Sequence, residues 1–129
     1  AFAGGGLSAN LLDLAKFGEM IRNKGYFNGK QIIPVKVVED IFAGGSKKAF
    51  AKAGYKTLEG WSYKNMWWVS HNKNGAISAR GVYGQAIYID PTAEMVIVRQ
   101  SSNPIASNTA NDPFSLPAYQ AVADCLMNK

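Results

Sequence analysis

The chain has 129 residues, of which 47% are hydrophobic and 18% charged, with a formal net charge of +5. That length and balance suit one globular domain that buries a core without metals or disulfides, and they exclude a disordered chain. A single cysteine, Cys125, and a single histidine, His71, exclude an intrachain disulfide and any cysteine-built or histidine-rich metal site.

No apolar run approaches the ~20 residues of a membrane helix, so no membrane span is expected. The lysines fall at helix surfaces and loop ends rather than in clusters interleaved with aromatics, which argues against nucleic acid as a partner. The chain opens Ala1-Phe2-Ala3-Gly4-Gly5-Gly6, without Met, a basic n-region or an apolar h-region, and reads as a piece of something longer. The compartment stays open between cytoplasmic and periplasmic or secreted.

Gly4-Gly5-Gly6 leads into a first helix, with Ser8 as the expected N-cap and Leu7 as the apolar residue before it. Leu11, Leu12, Leu14, Ala15, Met20 and Ile21 form its apolar face, Gly18 weakens its middle, and Lys24-Gly25 close it. Asn28-Gly29 sets a small hairpin within residues 25–33. Pro34 starts a second helix over residues 35–43, stopped by Gly44-Gly45. Residues 46–60, rich in Lys, Ala and Gly, read as an irregular surface loop.

The remainder turns to β. An aromatic-rich strand over 62–70 ends in the turn Asn72-Lys73-Asn74-Gly75; strands follow over 77–83, 85–90 and 95–100, with Asp90-Pro91 turning the last pair. That predicts a three- to four-stranded antiparallel meander. A polar loop over 101–117 then leads to an amphipathic helix over 119–127. The expected fold class is α+β, an antiparallel sheet flanked by helices, with residues 1–129 as a single unit.

Three local motifs invite a catalytic reading, and each lacks the geometry it needs. Ser70-His71-Asn72-Lys73 fits Ser-x-x-Lys, but that pair works on a helix, where residues i and i+3 share a face, and here it sits at a turn. Tyr63-Lys64-Asn65 fits Tyr-x-Asn but precedes Ser70, and Lys56-Thr57 is followed by Leu58 where Lys-Thr-Gly needs Gly. His71 beside Ser70 or Ser78 suggests a Ser-His-Asp set, yet no Gly-x-Ser-x-Gly elbow exists, and a solvated turn histidine is expected instead.

The informative pattern is distributed. Residues 5–18 from the glycine lead-in, Met66-Trp67-Trp68-Val69, Ala79-Arg80-Gly81-Val82-Tyr83-Gly84-Gln85, and residues 90–102 from Asp90-Pro91 follow one another in order over nearly the whole chain. Together they resemble the C-terminal part of the β-lactamase-like (penicillin-recognising) serine hydrolases, on the branch of 6-aminohexanoate-dimer hydrolases and related carboxylesterases.

The resemblance implies part of a serine hydrolase that cleaves amide or ester bonds through an acyl-enzyme, and it implies no cofactor. Ala79-Arg80-Gly81 takes the place of Lys-Thr-Gly on an edge strand, retaining only Gly81, which steers expectation from β-lactams toward esters or linear amides. Val82 N–H is then one of two oxyanion-hole donors, a role that depends on backbone position rather than on side chain. Gly81 permits close approach of the acyl group. Of the paired tryptophans Trp67 belongs to the core and Trp68 to the pocket wall, with Tyr83 closing the pocket. The Ser-x-x-Lys nucleophile pair and the catalytic Tyr are expected in an N-terminal part of the same enzyme, so this chain alone is expected to be inactive. The partners are that part and a small-molecule amide or ester substrate. The alternative is a non-catalytic α+β binding or interaction module.

Overall fold

The computed structural model describes residues 6–128. Gly4 and Gly5 of the expected helix lead-in lie outside them. Helix α1 (Leu11–Arg22) starts two residues later than Ser8 predicts, because Asn10 is the cap: its side chain accepts from Asp13 N–H at 2.8 Å. Asp13 carries the carboxylate that favours a helix start, and Asn10 Nδ2 donates to it as well. The apolar face also lies further along than expected, since Leu7, Leu11 and Leu12 are exposed while Gly18, Met20 and Ile21 are buried.

The glycine that weakens α1 in isolation is what lets it dock. A Cβ on Gly18 would lie 2.6 Å from Val96 Cγ1 and 3.1 Å from Ile87 Cγ2, so the missing side chain admits the sheet against the helix backbone. Gly25, at φ +81°, ends the helix by donating to Met20 C=O at 2.8 Å.

Strands β1 (Tyr26–Phe27) and β2 (Lys30–Gln31) form the expected hairpin, with Asn28 and Gly29 both at positive φ. Helix α2 (Val35–Ala43) follows Pro34 and stops at Gly44, as predicted. The segment read as an irregular loop instead holds a short helix, α3 (Lys47–Ala51), and a 3-10 turn over Lys56–Leu58. Ser46 supplies the cap of α3, accepting from Ala49 N–H at 3.1 Å.

The aromatic stretch is two strands, not one. β3 (Ser62–Lys64) and β4 (Trp67–Val69) are joined by Asn65-Met66, both at positive φ, the backbone of a tight hairpin turn. Met gives no turn signal, which is why the break was invisible. Strands β5 (Ile77–Arg80), β6 (Ala86–Asp90) and β7 (Met95–Arg99) complete a five-stranded antiparallel sheet in the order β3-β4-β5-β6-β7. Strand β5 is therefore central rather than at the edge. Its pairing with β4 stops at Trp68↔Ser78, so its last two residues, Ala79 and Arg80, pair only with β6.

Alternation divides the sheet's faces. Ile77, Ile87 and Ile89 join Trp67, Val69, Met20, Ile21, Val38 and Ile41 under α1 and α2. Tyr88 and Met95 point the other way and pack with Tyr119 and Ala123 of the last helix, α4 (Asp112–Met127). Helix α4 begins earlier than the predicted residue 119 and runs through Pro113 and Pro117. Pro113 sits in the first turn, where a missing N–H costs nothing, and Phe114 and Ser115 both donate to Asn111 C=O.

A fully buried carboxylate stitches two turns of the meander together. Asp90 accepts from Thr92 N–H, Ala93 N–H and, across the sheet end, Asn74 Nδ2 at 2.8 Å. No described helix is long and apolar enough to cross a membrane.

Replacing Gly18 by Leu tests the docking role. Leu has the better helix propensity, yet the overpacked α1–sheet contact is expected to cost about 1–3 kcal/mol, read as a lower denaturant midpoint.

Candidate active site

Strand β5 does not run on to Tyr83 as expected. It ends at Arg80, and residues Val82–Gly84 form a 3-10 turn broken by Tyr83 at φ 58°, ψ 24°. A left-handed conformation is uncommon for a bulky non-glycine residue and persists only where surrounding bonds impose it. Those bonds are present. Tyr83 N–H donates to Ala106 C=O at 3.0 Å, Asn103 N–H donates to Tyr83 C=O at 3.1 Å, and Gly81 N–H donates to Gln85 C=O at 2.9 Å. Gln85 is clamped in turn by Ser101, whose C=O accepts from Gln85 Nε2 and whose N–H donates to Gln85 Oε1. A Cβ on Gly81 would come within 2.8 Å of Gln85 Cβ, so the neighbour that requires glycine at this position is Gln85.

Val82 N–H has no hydrogen-bond partner among the described residues. Its peptide borders a pocket of about 200 Å³ lined by Trp68, Gly81, Val82, Tyr55, Thr57 and the 106–109 segment. Trp67 is 6% exposed in the core, whereas Trp68, on the opposite face of β4, lines this pocket. Tyr83, the next residue along, is exposed and lies outside the lining.

Sequence reasoning missed the cage that holds Trp68. Phe50 from α3, Tyr55 and Tyr63 meet its ring edge-on at centroid distances of 5.6, 5.0 and 5.2 Å. The Arg80 guanidinium lies 5.6 Å from the same ring and 6.0 Å from that of Trp61. The one available signal was Ser46 three residues before Ala49, a cap that announces α3 and so brings Phe50 onto a helix.

The pairing of Arg80 with Asp112 was missed as well, because 32 positions separate them. Arg80 Nη2 donates to Asp112 Oδ1 at 2.5 Å, with side chains only 9% and 6% exposed. Asp112 Oδ2 accepts from Thr57 Oγ1 at 2.6 Å, which draws the 3-10 turn over residues 56–58 into the same network. Arg80, on the strand that resembles a Lys-Thr-Gly element, is thus engaged by a carboxylate of the chain itself.

The local motifs have structural duties. Ser70 Oγ donates to Ala76 C=O at 2.7 Å, and Lys73 pairs with Asp124 at 3.3 Å, so Lys73 does not activate Ser70. Tyr63 OH approaches Met66 Sδ, and Asn65 donates to Asp40. His71 corrects the expectation of a solvated turn residue. It is half-buried, and its Nε2 lies 2.7 Å from the buried Ser62 Oγ, which also accepts from Gly45 N–H at 3.0 Å. Burial, with Lys47 adding repulsion, holds the His71 imidazole below its usual value of 6.5. Among the described residues no cluster of three His, Cys, Asp or Glu side chains is placed to bind a metal.

Two measurements follow from these contacts. Asp112→Ala leaves Arg80 buried without its partner and is expected to cost about 3–5 kcal/mol, whereas the double replacement Arg80→Met with Asp112→Leu costs less. The unfolded chain takes up a proton on His71 near pH 6.5, while the folded chain resists until lower pH. The contribution of neutral His71 is therefore complete above that value and is lost as pH falls below it. Chemical denaturation between pH 7.5 and 5 should show this loss, and His71→Gln should flatten it.

No protein-family model matches the chain. It is 38% identical over 105 residues to 6-aminohexanoate-dimer hydrolase from Paenarthrobacter ureafaciens, a match covering 80% of this chain and 26% of that protein. A solved structure assigned as a 6-aminohexanoate-dimer hydrolase from Bacillus anthracis superposes with a TM-score of 0.74 at 39% identity, covering 93% of this chain and 30% of that one. The chain thus spans between a quarter and a third of the length of these relatives. In sequence and in its α+β, β-lactamase-like architecture, it resembles the C-terminal portion of 6-aminohexanoate-dimer hydrolases.

Proposed function

We propose that this chain is the C-terminal part of a serine hydrolase that cleaves amide or ester bonds through an acyl-enzyme. A Ser activated by Lys and Tyr, contributed by an N-terminal part of the same polypeptide, attacks the carbonyl, and water then releases the acid. Val82 N–H is one of two donors to the carbonyl oxygen as it becomes an oxyanion. Trp68 and Gly81 form the wall against which the acyl group lies, while Tyr83, exposed, stands outside that wall.

The observation that carries this reading is the unpartnered Val82 N–H on a braced kink beside the pocket. The names of the two relatives support the reaction class. The pairing of Arg80 with Asp112 supports substrates without a carboxylate at this position, since the guanidinium is already neutralised.

Val82→Pro tests it cleanly. Gly81 is extended at φ −107°, ψ 167°, which a following proline accepts, and Val82 opens a 3-10 turn, where proline is tolerated. The substitution deletes the N–H and little else. In the full-length polypeptide that contains this chain, kcat on an ester or linear amide should fall about 10²- to 10³-fold while the thermal midpoint is kept. Unchanged kcat sinks the oxyanion assignment. A protein with no turnover that keeps its binding partner after the replacement is the non-catalytic module instead.

A further inference from the structure

We propose that Asn108 is a positioning residue for the Val82 N–H, holding and polarising the Gly81–Val82 peptide from its carbonyl side; this rests on the oxyanion role given to Val82 above. Asn108 Nδ2 donates to Gly81 C=O at 2.8 Å. That carbonyl and the Val82 N–H belong to one planar group, and no described peptide bond is cis, so the C=O and N–H bonds point to opposite sides of the chain. A donor seated on the carbonyl therefore fixes where the N–H aims.

Such a brace is needed because the peptide follows a glycine. Gly81 has the freest backbone of any residue type, and the 3-10 turn it caps is only three residues long and broken at Tyr83, so Asn108 adds to a weak local hold on this peptide plane. A hydrogen bond to the carbonyl also strengthens the N–H as a donor, since bonds in a chain polarise one another.

Asn108 is itself well held. It opens the 3-10 turn Asn108–Ala110, and its C=O accepts from Asn111 N–H at 2.8 Å. Four residues later Asp112 grips Arg80, and two residues earlier Ala106 C=O takes Tyr83 N–H. The 106–112 segment thus holds residues 80, 81 and 83 in succession, and the bond between them falls on the one peptide whose N–H is free. Asn108 Oδ1 is buried without a protein partner, as is Tyr119 OH, and both residues line a cavity of about 10 Å³.

The test is a double-mutant cycle in the full-length polypeptide, with Asn108→Asp and Val82→Pro made singly and together. Asp is nearly isosteric but, when ionised, presents only acceptors to the Gly81 carbonyl. Asn108→Asp should lower kcat about tenfold with KM unchanged, because the lost effect is felt only where charge develops. Added to Val82→Pro it should cost nothing more, since the N–H it orients is already gone. A normal kcat in Asn108→Asp, or a loss that adds fully to that of Val82→Pro, overturns the Asn108 role while leaving Val82 as donor. If Val82→Pro itself is silent, the underlying assignment fails instead. Should the introduced carboxylate disturb the loop, Asn108→Ala carries the same cycle.

Discussion

The arrangement around the pocket depends on one buried ion pair. Arg80, the last residue of β5, and Asp112, the first of α4, face each other at 2.5 Å with almost no exposure. Two charges withdrawn from water tolerate few alternative partners, so the pair acts chiefly as a register device. It fixes where β5 stops, where α4 starts and how the intervening loop returns over the sheet. Thr57 adds the opposite wall by donating to the second carboxylate oxygen. The aromatic cage of Trp68 then closes over the guanidinium.

The chemistry that this frame supports is one of backbone geometry. The strand end offers a peptide N–H rather than a reactive side chain, and it is shaped by the nearby Gln85 and by three residues distant in sequence, Asn103, Ala106 and Asn108. A left-handed Tyr83 and two crowded glycines, Gly81 and Gly84, show that the kink is imposed from outside. Local propensity would have extended the strand, and the loop bonds override it. Strain of that kind is found where a precise backbone orientation is useful.

Much of the fold was legible because its signals are local. Asn28-Gly29 supplies two positive φ values cheaply, Pro34 and Gly44 bracket α2, and Asp90-Pro91 with Asn74-Gly75 turn the meander. The misreadings share a cause. Met66 holds a positive φ that its side chain does not advertise, so one strand was read where two exist. Pro113 and Pro117 argue for loop, yet the anchoring of Asp112 starts the helix there. Gly18 looks like a weak point in α1 and is the place where the sheet comes closest.

From the sequence alone come the α+β class, the order of most elements, the likeness to hydrolases carried by Ala79–Gln85, the core position of Trp67 and the absence of a helix-borne Ser-x-x-Lys. The class, the order of elements and the opposite faces of Trp67 and Trp68 follow from residue type, periodicity of two or 3.6, or spacing along a few turns, whereas the likeness and the choice of Trp67 for the core come from the resemblance of the ordered segments. The tertiary structure alone decided that β5 is central, that Arg80 is held by Asp112, that Phe50 and Tyr55 cage Trp68, and that Asn108 meets the Gly81 carbonyl. These contacts join residues 13 to 32 positions apart, and nothing in a linear pattern encodes which distant polar group or ring a side chain will meet.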